Sequence, residues 1–183
     1  LLLVVMLGTR RESGRALANR DRVARLIPTQ TNTGGFVSSQ SCEACHPGEH
    51  ASWHKSFHRT MTQLALPENV LGRFDGSTVD SGGLTYKVTR EGDTFWAEMP
   101  DPDVMMYVFQ GGKKLALRDI PRVKRPVVMT TGSHHYQTYW VTSPRYEGLM
   151  QTLPLIYLPK DHQWIPREEA FMHGGEQGRR YIT

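Results

Sequence analysis

Apolar and polar residues alternate most cleanly in two runs, Leu84–Arg90 (LTYKVTR) and Thr94–Met99 (TFWAEM), separated by Glu91-Gly92-Asp93. A period of two puts every second side chain on one face, and a glycine-centred turn joins the runs, so an antiparallel hairpin is predicted. Val104–Gln110 (VMMYVFQ), Val127–Thr131 and Tyr136–Thr142 (YQTYWVT) are rich in β-formers and are expected as further strands. Leu153–Pro159 (LPLIYLP) is a short apolar run closed by prolines. Upstream the period changes. His46–Leu66 reads as one helix, with Pro47 at the first helical position, where a missing N–H costs nothing, and Pro67 as its stop. Residues 9–27 carry Leu17, Val23 and Leu26 at helical spacing with arginines on the other face, which predicts a solvated or interfacial helix.

These elements predict an α+β fold. Residues 1–35 form an arm with the linker Pro28–Gly35 (PTQTNTGG) at its end, and residues 36–183 form the body. Within the body, 36–66 is the helical head and 67–183 a small, loop-rich antiparallel β body. Seventeen glycines and eleven prolines in 183 residues agree with short elements and many turns. A chain 38% hydrophobic and 22% charged is not a multispanning membrane protein. The opening run Leu1–Leu7 (LLLVVML) is too short for a bilayer, which needs about 20 residues. It suits the end of a signal-anchor helix, the end of a signal h-region, or an apolar tail held by a partner. Membrane contact through residues 1–26 is therefore expected. Six arginines lie within residues 1–25 against Glu12 and Asp21, which accounts for the whole net charge of +4. The neutral remainder gives no electrostatic footprint for nucleic acid, and none is expected as a partner.

Chemistry concentrates in Ser41–Met61 (SCEACHPGEHASWHKSFHRTM), which holds both cysteines and four of the eight histidines. Cys42-Glu43-Ala44-Cys45-His46 fits C-x-x-C-H, the attachment signature of c-type haem. Two thiols at this spacing reach the porphyrin vinyl groups and form thioethers, while the adjacent imidazole binds the iron. A thioredoxin-like pair needs no following histidine and sits in a βαβ context, which this sequence lacks. Zinc held by Cys42, Cys45, His50 and His54 would need a chelate loop far shorter than the usual spacing of about a dozen residues. One haem c is thus the expected cofactor, attached at Cys42 and Cys45 with His46 as proximal ligand.

On a continuous helix His58 would stand about 18 Å beyond His46, too far to share one iron. His58 is then free to bind a neighbouring haem, including one on another chain. His50 and His54 are expected to be exposed or to bond haem propionates. Distal candidates come from GSHHYQTYW, where His135 and His134 follow Gly132 at a turn into a strand. His162 and His173 are weaker candidates, and the many methionines leave His/Met ligation open. MMYVF reads as core.

CEACH followed by Trp53-x-x-Ser56-x-His58, with VLGRFDG, YKVTREGDTFWAEM, GSHHYQTYWV, LPLIYLP and QWIPR, resembles the front portion of a multihaem c-type cytochrome family over Gly35 to Arg167. The resemblance implies export across the cytoplasmic membrane, single-electron transfer between stacked haems, and His58 as an axial ligand. Members carry several C-x-x-C-H motifs and this chain carries one. It stands either as the front of a longer chain or as a subunit whose redox partners carry the other haems. The expected protein is a periplasmic or cell-surface electron carrier rather than an enzyme. The rival classes are a haem enzyme or gas sensor with an open distal site, and a zinc-stabilised interaction module.

Overall fold

The structure is a computed structural model that describes residues 14–28, 34–35, 37–112 and 115–170. The apolar run 1–7, linker residues 29–33 and His173 lie outside the described residues. In chain order the elements are α1 (residues 14–24), α2 (Gln40–Glu43), α3 (Pro47–His54), α4 (Phe57–Thr60), β1 (Thr62–Leu64), β2 (Asp75–Ser81), β3 (Leu84–Glu91) and β4 (Thr94–Pro100). Then follow α5 (Pro102–Phe109), a single 3₁₀ turn (Leu117–Asp119), β5 (Arg122–Gly132), β6 (Gln137–Thr142), β7 (Met150–Leu158), β8 (Gln163–Pro166) and α6 (Arg167–Ala170).

The strands form an antiparallel meander in the order β2-β3-β4-β5-β6-β7-β8. The predicted hairpin is β3–β4, paired from Lys87↔Glu98 to Glu91↔Thr94. The sheet curls until β8 packs against β2. Across that seam the Trp164 indole N–H donates to the Arg73 carbonyl at 2.8 Å, and the Ser81 hydroxyl donates to Glu168 at 3.4 Å. The fold is α+β, with a near-closed barrel as its β body.

Alternate residues of the barrel strands point inward, so β3 buries Leu84, Tyr86 and Val88, and β4 buries Phe95, Ala97 and Met99. Phe74 anchors one end of the core, its ring edge-on to Phe95, Tyr139 and Trp164 at 5.0–5.2 Å. The loop before β2 is stitched to β6. Gln137 accepts from the Leu71 N–H at 2.8 Å and donates to the Asn69 carbonyl at 2.8 Å. The Tyr139 hydroxyl accepts from the Gly72 N–H at 2.8 Å. A Cβ at Gly72 would stand 2.5 Å from that hydroxyl oxygen and 2.7 Å from the Trp164 ring, so only glycine fits.

Three expectations need correction. Val104–Gln110 is helix α5, not a strand. Asp101 caps it by accepting from the Asp103 N–H at 3.0 Å, Pro102 opens it, and both carboxylates hold the buried Arg125 guanidinium at 2.6 and 2.8 Å. That cap and ion cluster outweigh the β-leaning composition. MMYVF is accordingly only partly core, since Met105 packs on the barrel while Tyr107 and Phe109 are exposed. The helix expected over His46–Leu66 is broken. Ser56 is extended (φ −74°, ψ 154°), its hydroxyl closes α3 on the Trp53 carbonyl at 2.7 Å, and Thr62–Leu64 are drawn off as β1 by pairing with β5. Helix α1 is largely exposed, with Val23 of the Leu17, Val23 and Leu26 stripe buried against Leu66 and Val128. The apolar run LPLIYLP lies largely in β7.

Candidate functional site

Residues 37–60 lie apart from the core. None of them is buried, and only His50, Ser56 and Thr60 are even half-covered. Helices α2, α3 and α4 contribute no residue to either apolar cluster. Helices this short are not stable on propensity alone, because nucleation is costly and each needs packing to hold it. The segment carries exposed apolar surface in Trp53 (42% exposed) and Phe57 (60% exposed).

The C-x-x-C-H residues wind through one turn of this segment. Cys42 lies on α2, Cys45 in the turn that follows, and His46 (φ −130°, ψ 57°) caps α3 ahead of Pro47. The His46 N–H donates to the Cys42 carbonyl at 2.9 Å, and the His50 N–H donates to the His46 carbonyl at 2.9 Å. Both thiols are free and exposed, as is the His46 ring.

His50 departs from its expected exposure. Its side chain is 10% exposed, Nδ1 stands 3.6 Å from the Glu43 carboxylate, and Nε2 is buried with no protein partner. Its ring lies 5.6 Å from that of the exposed His54 and 5.9 Å from that of Trp53. His50, His54 and Glu43 border a polar groove of about 480 Å³ that also presents Lys55 and Arg59. On the other side His58 lines a groove of about 620 Å³ with Gly48, Glu49, Ser52, Trp53 and Ser56. The break at Ser56 therefore removes the premise that put His58 a straight helical rise away from α3.

His134 and His135 are both exposed in the β5–β6 turn rather than on a strand, so strand alternation does not choose between them. The turn packs against the helical segment, with His134 edge-on to Phe57 at 4.6 Å. The Ser133 hydroxyl lies 3.0 Å from His134 Nδ1. The β1–β5 pairing of Thr62 with Thr131 and the Gly132 N–H to Met61 carbonyl bond at 2.9 Å fix that approach. The structure thus brings His134 beside α4, which carries His58. His162, at φ 53°, lies in the β7–β8 turn at the margin of hydrogen-bonding distance from Tyr157, 3.5 Å.

Among the described residues no three His, Cys, Asp or Glu side chains converge to hold a metal. A bare cation would find too few donors. A macrocycle that brings its own ring of nitrogens asks only for one or two imidazoles and, in the c type, two thiols. The free thiol pair beside His46, on a segment short of apolar packing, fits that group. Sequence reasoning missed Phe57, Lys55 and Arg59 as groups that could face it. Trp53 and Phe57 stand four apart, and that spacing was the available signal.

No family model, curated protein or solved structure matches the chain. No helix among the described residues is long and apolar enough to cross a membrane.

Proposed function

We propose that the chain is a c-type cytochrome that carries single electrons, working as a subunit of an extracytoplasmic redox assembly. The observation that carries this reading is the Cys42-x-x-Cys45-His46 turn, with both thiols free, in a segment that buries no residue of its own. Cys42 and Cys45 hold the haem through thioethers and His46 binds its iron. When bound, the group supplies one-electron chemistry at iron. The exposed Trp53 and Phe57 rings would keep water from part of its surface, Lys55 and Arg59 would offset carboxylate charge at its edge, and the unpartnered His50 Nε2 would have a polar group to bond there. His58, His134 and His135 are the distal candidates, with His58 also suited to a haem on a neighbouring redox subunit. Export follows from the cytochrome resemblance, because haem c in such proteins is attached outside the cytoplasmic membrane.

The test is the intact mass under denaturing conditions of protein made in a host that attaches haem c. The expected result is one haem adduct that is lost in Cys42→Ala/Cys45→Ala, and a reversible one-electron wave in potentiometry. A mass without the adduct overturns the reading. Carbon monoxide separates the carrier from a haem enzyme or sensor, since rapid binding to the ferrous protein would mean an open distal side.

A further inference from the structure

Helix α5 forms one wall of an open cavity of about 670 Å³, and residues of β3, β4, β6, β7 and α6 line the rest. Ligand cavities commonly hold about 300–1,000 Å³. The walls are apolar, with Met99, Met105, Met106 and Met150 joined by Phe109 and Trp140. Methionine side chains are unbranched and polarisable, so such a wall adapts to a flexible guest better than a branched aliphatic one. The Trp140 indole N–H is already spent on Thr131 at 2.9 Å, so the ring meets the cavity as apolar surface.

The polar features at this end are few and mostly paired. Asp101 and Asp103 both hold Arg125, and Arg125 also reaches Gln151 at 3.4 Å on the cavity wall. Glu168 accepts from Ser81 at 3.4 Å and lies near enough to the cavity-lining Tyr86 to raise its phenol. Arg167 differs. It lines the cavity at the start of α6, its Nη1 donates to the Thr152 hydroxyl at 2.8 Å, and no carboxylate among the described residues pairs with it. The Thr152 bond fixes the guanidinium in place and leaves its other donors open. An open, apolar-walled cavity bordered by an exposed arginine that Thr152 holds and that no carboxylate among the described residues pairs with is complementary to a flexible chain that ends in a carboxylate.

We propose that this cavity binds a single-chain aliphatic carboxylate, of the fatty-acid class, with its tail along the methionines and its head group on Arg167. The site lies on the barrel and stands independently of any cofactor on residues 37–60.

Isothermal titration calorimetry of the full chain with sodium decanoate tests this, with decan-1-ol as the neutral comparison. The expected result is saturable binding of one decanoate per chain. A charge-assisted hydrogen bond contributes about 1.5–3 kcal/mol, so Arg167→Gln should weaken decanoate at least tenfold and leave decan-1-ol unchanged. Arg167→Lys should recover part of the loss, and Met106→Asp should remove binding of both probes while far-UV circular dichroism stays that of the parent. Absence of saturable heat with the parent protein overturns the cavity as a ligand site, whether residues 171–183 or another part of the chain fill it. Equal affinity for the acid and the alcohol, or an unaffected Arg167→Gln, overturns the carboxylate assignment.

Discussion

Tyr86 faces the barrel interior, and burial pushes its phenol up to about 12, helped by Glu168 and opposed by Arg122. Burial raises Tyr139 as well, against the pull of the Gly72 N–H on its oxygen. Both phenols are therefore neutral in the folded chain at a pH where the unfolded chain has begun to ionise, near 10. Above that pH the folded state holds more protons than the unfolded one, so stability must fall as pH rises. The contribution of Tyr86 is whole below about pH 10 and is lost through about pH 12, at up to about 1.4 kcal/mol per pH unit. Urea midpoints measured across that range should decline, and Tyr86→Phe should flatten the decline. An identical slope in the variant would mean that Tyr86 ionises freely in the fold. At this scale the sequence was most readable where chemistry is local. Cys42, Cys45 and His46 are neighbours in the chain, so their motif is visible without a fold. The contact of Phe57 with His134 joins residues far apart in sequence, and no local pattern announces it.

Short helices that bury nothing depend on something outside themselves for order. In the proposed reading, haem provides that packing for α2, α3 and α4, and its removal should expose their backbone. Trypsin should then cut Cys42→Ala/Cys45→Ala at Lys55 and Arg59 within minutes, while the haem-bearing parent stays intact at both bonds. Mass spectrometry of the first fragments checks this, and equal cutting of the two proteins would sink it. Strand pairs joined by tight turns were legible, as β3–β4 shows, because alternation and turn chemistry sit in one stretch of chain. Two elements were misread for distinct reasons. Val104–Gln110 has the composition of a strand, but Asp101 and Pro102 start a helix and Arg125 locks both aspartates beneath it. Thr62–Leu64 continues a helical pattern, yet β5 offers it a free edge, and a ladder with a distant strand overrides local preference.

Viewed whole, the molecule is a curled meander with a helical head attached at one edge. The α+β class was readable from the mixture of periods. The closure of β2 on β8 was not, because it rests on Trp164 reaching Arg73 from the far end of the chain. The head meets the barrel through β1, the Gly132–Met61 backbone bond and the Phe57–His134 ring contact. Neither apolar cluster includes a residue from 37–60. Cys42→Ala/Cys45→Ala should accordingly leave the barrel's unfolding midpoint where it is in the parent, followed by the fluorescence of the buried Trp164. A drop of several degrees would show that the head supports the barrel after all. The three-residue strand β1 has a wider implication. Because the barrel's two apolar clusters take no residue from 37–60, a head of another length can be spliced between Val37 and Met61 without repacking the strands. The barrel then serves as a chassis on which heads of different length are interchangeable.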